Sequence, residues 1–204
     1  MKGVSLRKYC HHLCERSYLS ADRLGQGETL HTFDNMIVLR HERDEFVALV
    51  PRGSDSWADW LQNFYVWPHK KFAGVGRFHR GYGKKIAKHL PELEKLVDPR
   101  KRLTLAGHSA GGGEAVNFAA VTQYLDLIDQ TVTFGTPKTV ARIYNPSHEQ
   151  WLRSVTTHYL NPFDMVTQVP FGMARIGKEV VKGIRKSSGS EHPLPVYAEF
   201  FADV

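Results

Sequence analysis

Short apolar runs closed by turn residues alternate along this chain with stretches whose apolar residues recur at helical spacing. After an N-terminal helix-like stretch, Leu6 to Tyr18, the runs Thr29 to Leu39 and Glu45 to Pro51 are rich in β-branched and aromatic residues and read as two strands, joined by the charged turn His41-Glu42-Arg43-Asp44. Trp57 to Phe64 reads as a short helix with Ser54 or Asp55 available as its N-cap. A loop rich in Pro, Lys and Gly leads to Phe78-His79-Arg80-Gly81-Tyr82, and a basic amphipathic helix runs from Tyr82 to Leu96. The strand Leu103 to Ala106, the turn Gly107-His108-Ser109-Ala110-Gly111 and the helix Glu114 to Tyr124 come next. Two further strands follow: Asp129 to Phe134, ending in Gly135-Thr136-Pro137, and Ser154 to Leu160, ending in Asn161-Pro162-Phe163-Asp164. Strands that alternate with helices in this way predict an α/β protein with a mostly parallel central sheet covered by helices on both faces.

Composition narrows the class without naming it. With 204 residues, 42% of them hydrophobic and 24% charged, one compact domain over 1–204 is expected, large enough to bury a core without cross-links. No apolar stretch approaches the roughly 20 residues needed to span a bilayer, and Met1 to Ser20 lacks the uninterrupted apolar core of a signal peptide. The expectation is therefore a soluble, cytosolic protein, exported only by a dedicated machine or by lysis. Cys10 and Cys14 lie one helical turn apart, where a cross-link gains little, and read as free thiols. Together with His11 and His12 they could be taken for a metal cluster. The offsets match no usual zinc pattern and no second ligand pair follows, so no metal is expected.

The formal net charge of +6 is unevenly spread. Between Lys70 and Arg102 stand eleven Lys or Arg against three acids, a local excess of +8, and the rest of the chain is slightly acidic. Such a segment either contacts an anionic surface, phospholipid headgroups before nucleic acid, or is a solvated helix face that keeps the protein soluble. Nucleic-acid binding would rest on charge alone and ranks last.

The chemistry gathers at Ser109. A serine on a tight strand-to-helix turn is lifted off its own backbone and sits at the positive end of a helix dipole, and glycines flank it because side chains there would collide with the neighbouring strand or helix. A serine nucleophile needs a base to take its proton and a carboxylate to orient that base. In hydrolases built on such an elbow the chain order is serine, acid, histidine. His148, His158 and His192 follow Ser109, and His192 lies beyond a carboxylate at a strand end, on the loop opened by Lys186-Ser187-Ser188-Gly189-Ser190-Glu191. Asp164 is the acid of choice, directly after a strand and at the carboxyl edge where such sheets meet ligands. Asp126 and Asp129 precede a strand, and Glu191 adjoins the histidine and would struggle to face its ring. His158, inside a strand-like run, reads as a packed histidine. The oxyanion formed on attack needs two donors: the N–H of Ala110, and one from the loop Arg52-Gly53-Ser54, where Ser54 offers an N–H and a hydroxyl. Acyl transfer of this kind requires neither metal nor organic cofactor.

Taken in order, these motifs resemble the class 3 lipases, the fungal triacylglycerol lipase type of α/β-hydrolase, from about Thr29 to Tyr197. Arg52-Gly53-Ser54 resembles the family's oxyanion segment and Asp59-Trp60 through Asn63 its lid helix. Phe78-His79-Arg80-Gly81-Tyr82 is similar to the "H-x-G-F" step, and Gly107 to Gly112 to the elbow G-H-S-L-G-G. Phe134-Gly135-Thr136-Pro137, then Asn161-Pro162-Phe163-Asp164-Met165-Val166 with Pro170, then His192 with Tyr197 five residues on, complete the set. The resemblance implies an α/β-hydrolase fold with its nucleophile elbow at Ser109 and a serine carboxylic-ester hydrolase, a lipase or phospholipase acting on lipid esters. Trp57, Trp60, Leu61 and Phe64 share one helical face and become lid or substrate-contact residues, or else belong to a helix packed permanently on the core. Ala110 in place of the usual Leu, and Gly113 in place of Ala, trim apolar volume beside the oxyanion site. The chain is also shorter than the secreted fungal enzymes and lacks their signal peptide and disulfides. Met173, Ile176, Val180, Val181 and Ile184, with basic residues between them, fit a membrane-seeking helix by spacing; the family's matching segment is a strand, and Gly172, Gly177 and Gly183 agree with the strand. Two other readings stand beside the lipase: an esterase for small soluble esters, and a non-catalytic relative that binds an anionic surface.

Overall fold

A computed structural model describes residues 4–53, 70–72, 74–186 and 191–202. In chain order the elements are α1 (Val4–Ser17), β1 (Glu28–Phe33), β2 (Met36–Glu42), β3 (Phe46–Pro51), β4 (Lys70–Phe72), β5 (Gly76–Phe78), α2 (Arg80–Lys95), β6 (Arg102–His108), α3 (Ala110–Val121), β7 (Ile128–Phe134), β8 (Val140–Ile143), α4 (Pro146–Val155), β9 (Thr156–Leu160), β10 (Lys178–Val181) and α5 (Leu194–Tyr197). The main sheet has seven strands in the order β1-β2-β3-β6-β7-β9-β10. From β3 onward every neighbouring pair is parallel, and β1 and β2 add an antiparallel edge. This is the mostly parallel sheet with helices on both faces that the alternation predicts.

Burial on both faces explains why the strands are continuously apolar. In β3, Val47 and Leu49 face one side with Leu103 and Leu105 of β6, against α2, α3 and α4. Ala48, Val50 and Ala106 face the other, where α1 lies. Small side chains there let that helix approach its strands closely. The stripe of α1 is Cys10, Leu13 and Cys14, spaced i, i+3, i+4 and fully buried. Burial pushes the Cys10 thiol up to about 12 and the Cys14 thiol well above its ordinary value, so both stay protonated and inert free thiols. Among the described residues no helix is long and apolar enough to cross a membrane.

The elements differ from the sequence reading in four places. The run Thr29 to Leu39 is two strands: Asp34 turns the chain at φ 44°, a left-handed conformation that an Asp tolerates, and β1 pairs antiparallel with β2. The turn after β2 is correspondingly later, because His41 and Glu42 belong to the strand. The Lys- and Gly-rich stretch before α2 contains β4 and β5, which with β8 form a separate three-stranded antiparallel sheet. Ser154 and Val155 end helix α4, which the sequence reading lacks although its start is marked: the Asn145 side chain accepts the N–H groups of Ser147 and His148, and Pro146 follows it. The segment after Met173 contains β10, parallel to β9, in agreement with the strand reading.

Candidate active site

The turn after β6 is a tight one. Ser109 holds φ 55° and ψ −128°, rare for a residue with a side chain, and its N–H is tied to the Phe134 carbonyl oxygen at 2.9 Å. Close packing leaves room for glycine alone two residues to either side of it. A Cβ on Gly107 would run into the Gly111 carbonyl, and one on Gly111 into the Pro51 carbonyl at the end of β3. Helix α3 starts at Ala110, so the Ala110 N–H is among the donors that have no partner within the helix.

Three loops at the carboxyl edge of the sheet meet at this serine. His192 Nε2 lies 2.8 Å from Ser109 Oγ, and His192 Nδ1 lies 2.8 Å from Asp164 Oδ2. A carboxylate accepts, so Nδ1 donates to it and Nε2 presents its lone pair to the serine hydroxyl. Asp164 is fully buried directly after β9. Its Oδ1 accepts the Val166 N–H at 2.9 Å, and its Oδ2 also accepts the Tyr197 hydroxyl at 2.5 Å. Burial, and then the Asp164 charge, push Tyr197 well above the usual phenol range, so it remains a donor.

The residue that follows β3 toward the serine is Gly53: a Cβ built on it would lie 3.4 Å from the Ser109 Cβ. Ser54, Trp57, Trp60, Leu61 and Phe64 lie outside the described residues. The Phe78 to Tyr82 motif is a helix start, in which the Gly81 N–H donates to His79 Nδ1 at 3.2 Å and Tyr82 packs on Ala110. The remaining histidines after Ser109 are engaged elsewhere. His158 Nδ1 is 2.6 Å from Thr133 Oγ1, its Nε2 donates to the Ile176 carbonyl at 3.2 Å, and burial lowers its pKa to about 4. His148 Nε2 donates to the Ala120 carbonyl at 2.9 Å.

Tyr197 and His108 go beyond the sequence reading. Tyr197 is part of the motif quoted above, but its bond to Asp164 spans 33 residues and no local pattern shows it. His108 Nε2 donates to the His192 backbone carbonyl at 2.9 Å, across 84 residues.

An elbow serine, a loop histidine and a strand-end carboxylate on a parallel sheet make this fold an α/β-hydrolase. Residues 48–173, more than half of the chain, match the family Lipase (class 3); the chain belongs to the class 3 lipases, a family of carboxylic-ester hydrolases acting on lipid esters. No curated protein matches it. Among solved structures it is similar to the mono- and diacylglycerol lipase of Aspergillus oryzae, with 12% identity, TM-score 0.70, and 97% of this chain and 95% of that one covered. Lipase II of Rhizopus niveus aligns with 19% identity and TM-score 0.66, covering 88% of this chain and 82% of that one. The Rhizomucor miehei lipase propeptide complex aligns with 19% identity and TM-score 0.59, covering 91% and 69%.

Proposed function

We propose that this protein is a serine hydrolase that cleaves lipid carboxylic esters, including phospholipid esters, at a lipid surface through Ser109, His192 and Asp164. The observation that carries the reading is the unbroken chain Ser109 Oγ, His192, Asp164, with 2.8 Å at each link. Ser109 Oγ attacks the ester carbonyl while His192 Nε2 takes its proton, and Asp164 stabilises the imidazolium. The N–H groups of Ala110 and Ser54 hold the oxyanion. Collapse of the tetrahedral intermediate releases the alcohol, which receives the proton from His192. Water, deprotonated by His192, then cleaves the acyl-serine and frees the acid.

Two features support a lipid surface as the place of action. Met165 and Phe171 are 73% and 74% exposed on the loop that carries Asp164, and Val169 of that loop packs against Ala110 and Tyr82. Apolar side chains this bare beside a site are contact points for an apolar phase. One cation stands over the same loop, with the Arg185 guanidinium 3.9 Å over the exposed Phe163 ring, which suits anionic headgroups. The test is release of nitrophenol from butyrate and palmitate esters, with and without vesicles of anionic phospholipid, for the wild type and Ser109→Ala. Serine-dependent turnover that rises on vesicles is expected. Turnover of butyrate alone would overturn the lipid-surface part and leave a soluble esterase; no turnover of either ester would overturn the hydrolase.

A further inference from the structure

His108, the last residue of β6, is buried at 6% exposure among Tyr18, His192 and the Tyr197 ring, whose centroid lies 6.1 Å from its own. Its Nε2 lies 2.9 Å from the backbone carbonyl oxygen of His192, and its Nδ1 lies 3.2 Å from the Tyr18 hydroxyl. Its ring stacks on the His192 imidazole, with centroids 4.9 Å apart and planes 30° apart. A carbonyl oxygen only accepts, so Nε2 carries a proton. Burial, and then the nearby His192, lower the His108 pKa to about 3, so the ring is neutral and has one N–H. Nδ1 is therefore an acceptor, and the Tyr18 hydroxyl donates to it.

We infer that His108 is a positioning residue for His192: its Nε2–H on the His192 carbonyl and its ring against the His192 imidazole hold that imidazole over Ser109, and Tyr18 fixes the tautomer that permits it. The inference rests on the hydrolase reading of Ser109 and His192 given above.

The backbone around His192 needs such a brace. Residues 191–193 lie in no strand, and Pro193 has no N–H to donate to a ladder. Carbonyls there are held by histidine rings: His192 by His108, and Leu194 by His11 Nε2 at 3.0 Å. His108 and Ser109 are consecutive, so one peptide unit joins the residue that holds the base to the residue that bears the nucleophile. Helix α1 supplies His11, and Tyr18 follows it directly, both before the stretch that matches the family. Gly53 shows how closely the parts fit: a Cβ there would strike the Tyr18 hydroxyl and lie 2.8 Å from the His108 carbonyl oxygen.

The test is kcat and KM on a soluble butyrate ester, with the rate at which a nitrophenyl phosphonate modifies Ser109, for Tyr18→Phe, His108→Phe, the double variant and Ser109→Ala. His108→Phe should lower kcat and the phosphonylation rate by the same factor, about 10²-fold, the scale of a misplaced catalytic group, with KM unchanged. Tyr18→Phe should lower both by less, and the double variant should be no slower than His108→Phe alone, because both act through one contact. Effects that multiply, or a kcat at the wild-type value, overturn the inference. Nitrogen shifts of His108 in the wild-type protein at pH 7 should show the neutral Nε2–H tautomer, and the Nδ1–H tautomer would overturn it without any variant. If Ser109→Ala hydrolyses the ester like the wild type, the hydrolase reading itself falls; if Ser109→Ala is inactive and the other variants are not slowed, the brace alone falls.

Discussion

The two faces of the main sheet are both apolar and pack with different side chains. Under α2, α3 and α4 the packing is mainly aliphatic, with Val47, Leu49, Leu103, Leu105, Val116 and Leu152. Under α1 and α5 it is aromatic: Phe134 meets His11, Tyr159, Tyr197 and Phe201 at centroid distances of 5.2 to 6.5 Å. Rings with polar tips pack like hydrocarbons and still reach a partner. Tyr197 reaches Asp164 and His11 reaches the Leu194 carbonyl. The aliphatic face supplies stability; the aromatic face supplies stability and aims the proposed machinery at the carboxyl edge.

The largest effect is expected at Ser109, which belongs to neither face. Ser109→Ala should lower kcat/KM by about 10⁴-fold or more with the urea midpoint unchanged, as removal of a nucleophile does. A variant equally destabilised would erase the line between site and core. Leu105→Ala, on the aliphatic face and fully buried, should cost about 2–5 kcal/mol in urea unfolding while turnover per folded molecule stays the same. Tyr197→Phe, on the aromatic face, should cost about 1–2 kcal/mol and also lower kcat by about tenfold; a loss of stability alone would make the two faces equivalent. Buried histidines with strongly lowered pKa values stand on both faces, His158 near 4 beside Ile176 and His108 near 3 beside Tyr18. The unfolded chain, with histidines near 6.5, binds more protons below that pH, so stability is full above 6.5 and falls on acidification toward 4. The slope should be about 1.4 kcal/mol per pH unit for each ring, and His158→Gln should remove one ring's share. The smallest effect is expected at Phe171→Ser, which should change folding stability by less than about 0.5 kcal/mol and weaken vesicle sedimentation; a large loss of stability would make that loop part of the core.

What the sequence makes legible follows from the range of the interactions. The elbow is readable because strand, turn, glycines and helix are contiguous, and the order serine, acid, histidine is a property of the chain. The sheet is readable because strands buried on both faces are apolar without interruption. The turn at Asp34-Asn35 is marked only by those two polar residues between Phe33 and Met36, and β4, β5 and β8 are only three or four residues long. Helix α4 carries a readable cap in Asn145-Pro146. The bonds from Tyr18, His108, His11 and Tyr197 join residues 33 to 183 positions apart, and no local pattern encodes them.

The backbone of Ser109, at φ 55°, narrows the routes by which a lineage of this protein can exchange its nucleophile. Threonine would keep the hydroxyl, but its branched Cβ is a genuine outlier in left-handed backbone, and the turn could not form around it without moving β3 and α3. Cysteine is unbranched and enters the same turn. Descent toward a thiol stays open, and descent toward a secondary alcohol is closed by the main chain before any chemistry is tried.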